Sequence, residues 1–420
     1  MMHANGTVPR HRVAVTGIGV VSPLGIGLGP LWAGALAGRS AVRAIDRFDA
    51  SPFDSRVAAQ VDGFAPDDFL APKRVRWTDR FAQFALASAH MALADARLDA
   101  GALGDDAGVW IGSALGGLAY AEEQHERFVA GGLRAVRPLL AIAVFGGAAT
   151  TQVAIEFGIR GPNVANANSC AAGAVAIGEA FRAVARGEVR VALAGGAETP
   201  LSPLVFGSFA IIRAMSTRND DPGRASRPFD RDRDGFVMAE GSAIFVLERY
   251  ADALARGAHV YGEIAGFGLT ADAHHMTAPL PSGDRSTAAM RAALAEARLA
   301  PDEIELIDAH GSSSPLNDVT ETRALHAAFG DAATRIPVMA SKGNHGHALG
   351  ASGAWEAALT LLAMERRTLP PLANLENVEP QCDLDLVRAT REAAPRTALS
   401  NSTGFGGINA ALVLRAAENA

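Results

Sequence analysis

The chain has 420 residues, of which 49% are hydrophobic and 20% charged, and its formal net charge is −7. This balance is that of a globular protein with two or three domains or one large two-lobed body, and it excludes an intrinsically disordered chain. The negative net charge argues against extensive nucleic-acid binding. No apolar run reaches the ~18 residues of a membrane span, and the N-terminal segment lacks the apolar core of a signal peptide. We therefore expect no membrane partner and a cytoplasmic location.

Strand-like and helix-like segments alternate along the chain. The first, "RVAVTGIGVVSPLG", predicts a buried strand and a turn; its glycines do not match the G-x-G-x-x-G spacing of a dinucleotide site, and Pro23 stands where a helix would begin. A helix is then predicted for "DRFAQFALASAHMALADARL". Strands are predicted in "GVWIGSA", "VRVALAGGAE", "HVYGEIAGFG", "IELIDAHG" and "RIPVMASKG". The alternation indicates α/β layers around buried sheets, and no flexible linker separates the lobes.

The two halves of the chain resemble each other weakly. "GPNVANANSCAAGAVAIGEAFRAVARGEV" predicts a strand, a turn of small residues and an alanine-rich helix, and "IPVMASKGNHGHALGASGAWEAALTLLAMERRTL" has the same layout. "GVWIGSALGG" and "IELIDAHGSSS" form a second such pair in the same order. We infer a duplicated unit whose chemistry lies where the two turn-to-helix junctions meet.

One acidic loop is similar to a calcium site. "FDRDRDGFVMAEG" places Asp230, Asp232 and Asp234 at alternate positions, but the twelfth position, where a calcium loop needs glutamate, is Gly241. Arginines stand between the aspartates. We therefore expect a salt-bridged structural turn.

Two cysteines, Cys170 and Cys382, are too few for a disulfide framework, which is consistent with a reducing compartment. Cys170 stands at the predicted start of a helix of small residues, where the helix dipole and free N–H groups favour thiolate. A buried, inert cysteine is the alternative. Cys382 follows Pro380 among acidic residues that raise a thiol pKa, so we expect it to be inert.

A second group of candidate residues lies in the C-terminal half. His310 ends the apolar run "IELIDAHG", where a catalytic histidine and a hydrogen-bonded structural one are equally plausible. Lys342 and His347 lie at the junction that mirrors Cys170. A zinc site using His345 would lack a nearby carboxylate or second cysteine. "SKGNHGHALG" lacks the residue order of a P-loop, and "GASGA" is one residue out of register for a serine-hydrolase elbow. A thiol nucleophile with two histidines is the remaining interpretation.

Together, "NSCAAG", "DAHGSSSPLND", "SKGNHGHALGASG" and "NSTGFGGINAALVL" resemble the β-ketoacyl-[acyl carrier protein] synthases, most closely the elongating type II fatty-acid branch. The resemblance covers nearly the whole chain. It implies an α/β thiolase fold with duplicated halves in a five-layered α-β-α-β-α sandwich, and a homodimer. It also implies an N-terminal half over 11–258 with the nucleophilic cysteine and a C-terminal half over 259–418 with the two catalytic histidines.

The resemblance further implies a decarboxylative Claisen condensation with malonyl-[acyl carrier protein] in fatty-acid chain elongation. Cys170 would accept the acyl chain, His310 and His347 would stabilise the enolate, and Lys342 would position them with Glu321 nearby. The backbone N–H groups of Cys170 and Phe405 would form the oxyanion hole, with Phe405 also a gate. Neither a metal nor a cofactor is implied beyond the carrier's phosphopantetheine. Substrate-binding residues would be Ser312, Ser314, Thr277, Phe209 and Thr403.

Departures from the family pattern concern substrate choice. His345 stands where threonine is usual, Thr403 replaces phenylalanine, and Ile408 replaces threonine, so a specialised polyketide or polyene pathway is an alternative. A non-condensing chain-length subunit would lack Cys170. The acidic carrier needs a basic docking surface, for which the candidates are Lys73, Arg74, Arg76 and Arg213. Acyl length, pathway and carrier are not predicted.

Overall fold

The computed structural model describes residues 11–418. Before residue 260 the strands are β1 (Val13–Ser22), β2 (Gly25–Ile26), β3 (Val42–Ala44), β4 (Val57–Ala59), β5 (Ala107–Gly112), β6 (Asn163–Asn166), β7 (Val191–Glu198) and β8 (Gly241–Arg249). The helices there are α1 (Leu28–Leu36), α2 (Pro72–Arg76), α3 (Arg80–Ala96), α4 (Leu118–Gly131), α5 (Leu140–Ala143), α6 (Ala148–Phe157), α7 (Ala172–Arg186), α8 (Pro203–Ile211) and α9 (Tyr250–Ala255).

After residue 260 the strands are β9 (Gly262–Ala271), β10 (Leu306–Asp308), β11 (Pro337–Met339), β12 (Thr368–Leu369), β13 (Asp385–Leu386), β14 (Arg391–Glu392), β15 (Thr397–Gly404) and β16 (Ile408–Ala416). The helices there are α10 (Asp284–Ala297), α11 (Pro315–Phe329), α12 (Lys342–His345) and α13 (Ser352–Arg366). Every strand and helix segment quoted above from the sequence forms an element of the predicted type.

The same strand order occurs twice. In the first half the order is β6-β5-β7-β8-β1, and in the second it is β11-β10-β15-β16-β9. In both, the two pairings nearest the outer edge are parallel and the two nearest the middle antiparallel. The duplication predicted from the sequence is confirmed by this topology.

Helices fill the spaces around the two sets of strands. α3 and α6 cover one outer side, α10 and α11 cover the other, and α7 packs against α13 between the sheets. This arrangement gives the five α-β-α-β-α layers that the resemblance implies. A short antiparallel ladder joins β1 to β9, so the two sheets are continuous. Because the halves share a ladder and a core, the boundary between 11–258 and 259–418 stays a prediction.

The glycines that mimic a nucleotide fingerprint have a packing role. A Cβ at Gly17 or Gly19 would lie 2.2 or 1.9 Å from a backbone oxygen of α3. In the second half, Gly266 and Gly268 on β9 face α10 at 2.1 and 1.9 Å in the same way. β1 and β9 therefore each carry two glycines, which let α3 and α10, respectively, approach the strand backbone.

The two turn-to-helix junctions have matching backbones. A one-turn 3₁₀ helix, Ser169–Ala171, precedes α7, and another, Leu349–Ala351, precedes α13. Each begins with a non-glycine residue at positive φ, 51° at Ser169 and 42° at Leu349. Such a conformation costs roughly 1–3 kcal/mol and persists only where neighbouring contacts enforce it.

The acidic loop is a structural turn, as expected. Asp230 is buried, accepts the backbone N–H groups of Glu376 and Asn377 at 2.8 Å, and lies 3.4 Å from the guanidinium of Arg227. Asp234 accepts the backbone N–H of Thr217 at 2.9 Å. The carboxylates of Asp230 and Asp234 therefore fix the loop through these contacts. Over 11–418, no helix is long and apolar enough to cross a bilayer.

Candidate active site

A cavity of about 330 Å³ opens between the two junctions. Cys170, His310 and His347 all line it. So do all five predicted substrate-binding residues and Phe405: Ser312, Ser314, Thr277, Phe209 and Thr403. Residues that are separated by up to 235 positions in the chain, Cys170 and Phe405, thus share one small space, although their individual roles stay predictions.

The thiol of Cys170 is nine-tenths buried at the base of this cavity. Gly404 is so close that a Cβ on it would lie 3.1 Å from the Cys170 nitrogen, and the N–H of Phe405 points at the thiol. Burial raises the pKa of Cys170 to about 11, against the opposing effects of the Ser169 hydroxyl and the Lys342 charge. The expectation that the helix dipole favours the thiolate is therefore wrong for the resting protein, because desolvation has the larger effect.

Cys382 is also buried, and burial raises its pKa to about 11 as well, with nearby Asp318 contributing. The direction predicted for Cys382 is confirmed, although burial is the larger cause. Thiol acidity alone does not distinguish the two cysteines. Position does, because Cys382 does not line the cavity.

The two cavity histidines face each other edge to face. Their ring centroids are 5.3 Å apart at an interplanar angle of 83°, and Nδ1 of His347 lies 2.8 Å from the Ser352 hydroxyl. Burial and the positive charge of Lys342 lower both pKa values well below the ordinary histidine value. Both rings are therefore neutral at physiological pH, and each can donate one N–H bond and accept another.

Lys342 lies behind the histidines, fully buried. Its ammonium group donates to the carbonyl of His310 at 2.5 Å, lies 3.3 Å from Nδ1 of His310, and forms an ion pair with Glu356. Since an ammonium group has no acceptor, Nδ1 of His310 accepts and Nε2 carries the ring proton. The tautomer that can donate a proton into the cavity is thus set by Lys342.

Glu321 holds His310 by its backbone instead of pairing directly with Lys342. Its carboxylate accepts the N–H groups of His310 and Gly311 at 2.7 and 2.9 Å, and the amide of Asn401 at 2.7 Å. The partner of Lys342 is Glu356, on α13. The sequence argument missed Glu356, although it is the only charged residue of "SGAWEAALTLLA" and could have been noticed for that reason.

His345 points away from the cavity. Its nitrogens lie 2.8 Å from the Ser341 hydroxyl and 2.7 Å from the Gly346 carbonyl, and its ring packs on the edge of Trp355. His345 does not line the cavity, so this departure from the family pattern has no direct contact with a substrate bound there. Among the described residues, no three histidine, cysteine or acidic side chains are grouped as metal ligands would be. A zinc site that uses His345 therefore has no geometric support.

One wall of the cavity is a connected polar network. The hydroxyls of Ser312 and Ser314 are 3.0 Å apart, and Ser314 accepts the N–H of Asn317 at 3.2 Å. Asn317 in turn accepts the hydroxyl of Thr403 at 2.9 Å. The rings of Phe209 and Phe405, which also line the cavity, stack with their centroids 6.1 Å apart. The cavity therefore offers both hydrogen-bonding and apolar surface to a bound chain.

The predicted docking residues fall into two places. Arg213 is exposed and lines the cavity. The other three lie on α2 and do not line it; Lys73 and Arg76 are exposed, whereas Arg74 donates to Glu156 at 2.6 Å.

Models of two protein domains together match most of the chain. "Beta-ketoacyl synthase, N-terminal domain" matches residues 10–253, and "Beta-ketoacyl synthase, C-terminal domain" matches residues 261–376. The chain belongs to the β-ketoacyl synthase family. The resemblance stated from the motifs is thereby confirmed, and this ketosynthase is an acyl-transferring enzyme of the thiolase fold.

Individual relatives agree with this assignment. The ketosynthase is 44% identical over 408 residues to 3-oxoacyl-[acyl-carrier-protein] synthase 2 of Synechocystis sp., covering 97% of this chain and 98% of that one. Among solved structures, the ishigamide ketosynthase/chain length factor matches with a TM-score of 0.91 and 35% identity. A type II PKS ketosynthase in complex with its acyl-carrier protein matches with a TM-score of 0.90 and 34% identity. Both alignments cover 97% of this chain and 100% of the other.

Proposed function

We propose that this ketosynthase condenses an acyl chain held on Cys170 with malonyl-[acyl carrier protein], giving β-ketoacyl-[acyl carrier protein] in fatty-acid chain elongation. The observation that carries the proposal is the meeting of Cys170, His310 and His347 in one cavity. The relatives named 3-oxoacyl-[acyl-carrier-protein] synthase 2 support the same reaction.

In the first step, the sulfur of Cys170 attacks the thioester carbonyl of the acyl-carrier, and the C–S bond to pantetheine breaks. The proton of Cys170 ends on the departing pantetheine sulfur. The N–H groups of Cys170 and Phe405 stabilise the tetrahedral oxyanion, an interaction typically worth ~3 kcal/mol per donor. Two contacts support this role: Gly404 lies close to the nitrogen of Cys170, and the N–H of the next residue, Phe405, points at the thiol.

In the second step, malonyl-carrier loses carbon dioxide and leaves an enolate at its thioester. Neutral His310 presents Nε2–H, and His347 does so when Ser352 donates to its Nδ1. These two neutral N–H groups stabilise the enolate oxygen by hydrogen bonds and keep their own protons. The enolate carbon then attacks the carbonyl of the Cys170 thioester, the new C–C bond forms as the C–S bond breaks, and the cysteine thiolate takes up one proton from solvent.

Mass spectrometry after mixing the protein with acyl-carrier tests this proposal. We expect one acyl group on the peptide that contains Cys170, and its loss as β-ketoacyl-carrier when malonyl-carrier is added. A Cys382→Ser variant is the control and is acylated normally. Absence of acylation in the wild-type protein would refute the proposal and favour a non-condensing chain-length subunit.

The proposed partner is an acyl carrier protein, whose pantetheine arm would lie along Ser312 and Ser314. Arg213, at the cavity, and the exposed Lys73 and Arg76 are the proposed basic contacts, whereas Arg74 is committed to Glu156. The ketosynthase solved with its acyl-carrier protein supports such a partner. A catalytic thiol that must stay reduced also fits the cytoplasmic location proposed from the sequence.

A homodimer is proposed from the surface around β6. This strand ends its sheet and is exposed, so a second copy could pair with its free edge. Large apolar side chains that are at least 40% exposed occur in the segment from α4 to α6 and on β6: Leu118, Phe128, Val129, Leu133, Ile142, Val144, Phe145, Ile155 and Val164. Light scattering should give twice the mass of 43.4 kDa for the chain alone. A monomer would refute the homodimer and favour a separate partner subunit.

A specialised polyketide or polyene pathway is the second candidate. The hydrogen bond between Thr403 and Asn317 favours it, because a polar pair at this wall of the cavity suits substrates with polar groups. Competition between saturated acyl-carriers and carriers that bear polyketide or polyene chains distinguishes the pathways, and the polar pair should favour the keto groups of a polyketide. A tenfold preference in kcat/KM for saturated chains would favour fatty-acid elongation.

A further inference from the structure

Glu198 is a buried carboxylate that the mechanism above does not use. It is the last residue of β7, has no exposed surface, and lies at the edge where β5 and β7 end side by side. A buried carboxylate without a counter-ion is costly unless several donors bond to it. The donors of Glu198 are therefore informative about its role.

Four donors surround the Glu198 carboxylate. One oxygen accepts the Ser113 hydroxyl at 2.9 Å and the Leu115 N–H at 3.1 Å. The other accepts the N–H of Ala114 at 2.6 Å and that of Gly350 at 3.0 Å. Three donors thus come from the loop after β5, and the fourth comes from the 3₁₀ turn before α13, in the other half of the chain.

The 3₁₀ turn that carries Gly350 is packed tightly against Glu198, the loop after β5 and the start of α7. A Cβ on Gly350 would lie 2.7 Å from Ala114 N and 2.8 Å from the Glu198 carboxylate. The carbonyl of Gly350 would lie 2.7 Å from a Cβ on Gly173, in the first turn of α7 just after Cys170. The residue before Gly350 is Leu349, whose φ of 42° needs support from its neighbours.

Leu349 connects this network to the chemistry. It lines the cavity together with Cys170 and packs in the same apolar cluster, which Ala114 and Leu115 also contact. We propose that Glu198 is a positioning residue for acyl transfer, which fixes the turn at Leu349 and the loop after β5 on either side of Cys170. It joins the two halves where the acyl chain enters.

This inference rests on the proposed acylation of Cys170, and the wild-type protein is the reference in every assay. A Glu198→Gln substitution keeps the size but turns an amide NH₂ toward N–H donors. We expect kcat for acyl transfer from acyl-carrier to fall ~10²-fold, as for an ångström-scale misplacement of reacting groups, with KM unchanged. Ser113→Ala, which removes one donor of four, should cost only a few-fold.

The Glu263→Gln variant is the control for the loss of a buried carboxylate elsewhere in the protein. Glu263 is buried on β9, accepts a hydrogen bond from Arg12 at 2.8 Å, and does not line the cavity. This variant should lose stability but keep kcat. Glu198 also raises the pKa of Cys170, so Glu198→Gln should label with iodoacetamide at lower pH than the wild type.

Three outcomes are decisive. If wild type does not acylate, the proposed function fails. If wild type acylates and folded Glu198→Gln has a kcat within twofold of it, the positioning role is refuted. Should Glu198→Gln not fold, Glu198→Asp replaces it, because the shorter side chain keeps the charge but cannot reach both segments. The proposal then requires a kcat at least tenfold lower in a folded protein, and a wild-type kcat overturns it.

Discussion

His345 and His347 lie two residues apart and should respond to substitution in opposite ways. His345 has two buried hydrogen bonds, at 2.8 and 2.7 Å, and an edge contact with Trp355 at 4.8 Å. At about 1 kcal/mol for each of these interactions, His345→Ala should destabilise the fold by about 3 kcal/mol. His345→Thr should cost less, because its hydroxyl can replace one bond. Neither change should affect the reaction, since burial lowers the pKa of His345 to about 3 and keeps it neutral.

His347→Ala should show the converse. It removes one hydrogen bond, to Ser352, from a side chain that faces the cavity, where water can fill the space. We expect about 1 kcal/mol of lost stability but a ~10²–10³-fold loss of condensation, with acylation of Cys170 retained.

Three measurements on the same preparations check this contrast: the Tm, carbon dioxide release from malonyl-carrier, and the mass of the acylated protein. His345→Thr should lower the Tm and keep carbon dioxide release. If folded His345→Thr lost decarboxylation as completely as His347→Ala, the separation of a structural from a catalytic histidine would be incorrect. A paired-histidine or metal site would then have to be considered again.

Other predictions concern the thiols, the carrier and the polar wall. Iodoacetamide should label Cys170 faster than Cys382, and because burial raises the pKa of Cys170 to about 11, labelling should still be accelerating above pH 9; faster labelling of Cys382 would contradict the assignment. Arg213→Glu should raise KM for the carrier several-fold, and more at low salt, whereas Arg160→Glu, on an exposed side chain paired with Asp105, should not; equal effects would refute specific docking. Thr403→Val removes the bond to Asn317 without changing side-chain size, and should alter the ranking of acyl-carriers by kcat/KM while the Tm stays within a few degrees; an unchanged ranking would exclude Thr403 from selectivity.

The sequence predicted the elements, the cysteine and the histidines of the cavity because these depend on local order, whereas the other cavity residues were implied by the family resemblance. Alternating apolar runs and glycine turns mark the strands, and small residues after Cys170 and His347 mark the two helix starts. The duplicated layout then requires these starts to meet, since α7 and α13 are equivalent helices of equivalent halves.

Properties set by distant neighbours were not predictable in this way. The acidity of Cys170 depends on how completely the fold excludes water, and local helix position suggested the opposite direction. The counter-ion of Lys342 is Glu356, one helix further along, and the donors of Glu198 come from two separate loops. The only local signal of Glu356 or of Glu198 is that each is a single acidic residue in an apolar run.

The matching backbones of the two junctions are consistent with the single acylation centre that we propose at Cys170. In register, Gly350 occupies in its turn the place that Cys170 occupies in the other. The N–H of Gly350 donates to the Glu198 carboxylate at 3.0 Å, whereas the equivalent N–H at Cys170 is the one that we propose binds the oxygen of a thioester. The second copy of the anion-binding geometry is thus permanently filled by the protein's own carboxylate. In this second junction the backbone N–H therefore has a structural role, because it ties the turn before α13 through Glu198 to the loop after β5.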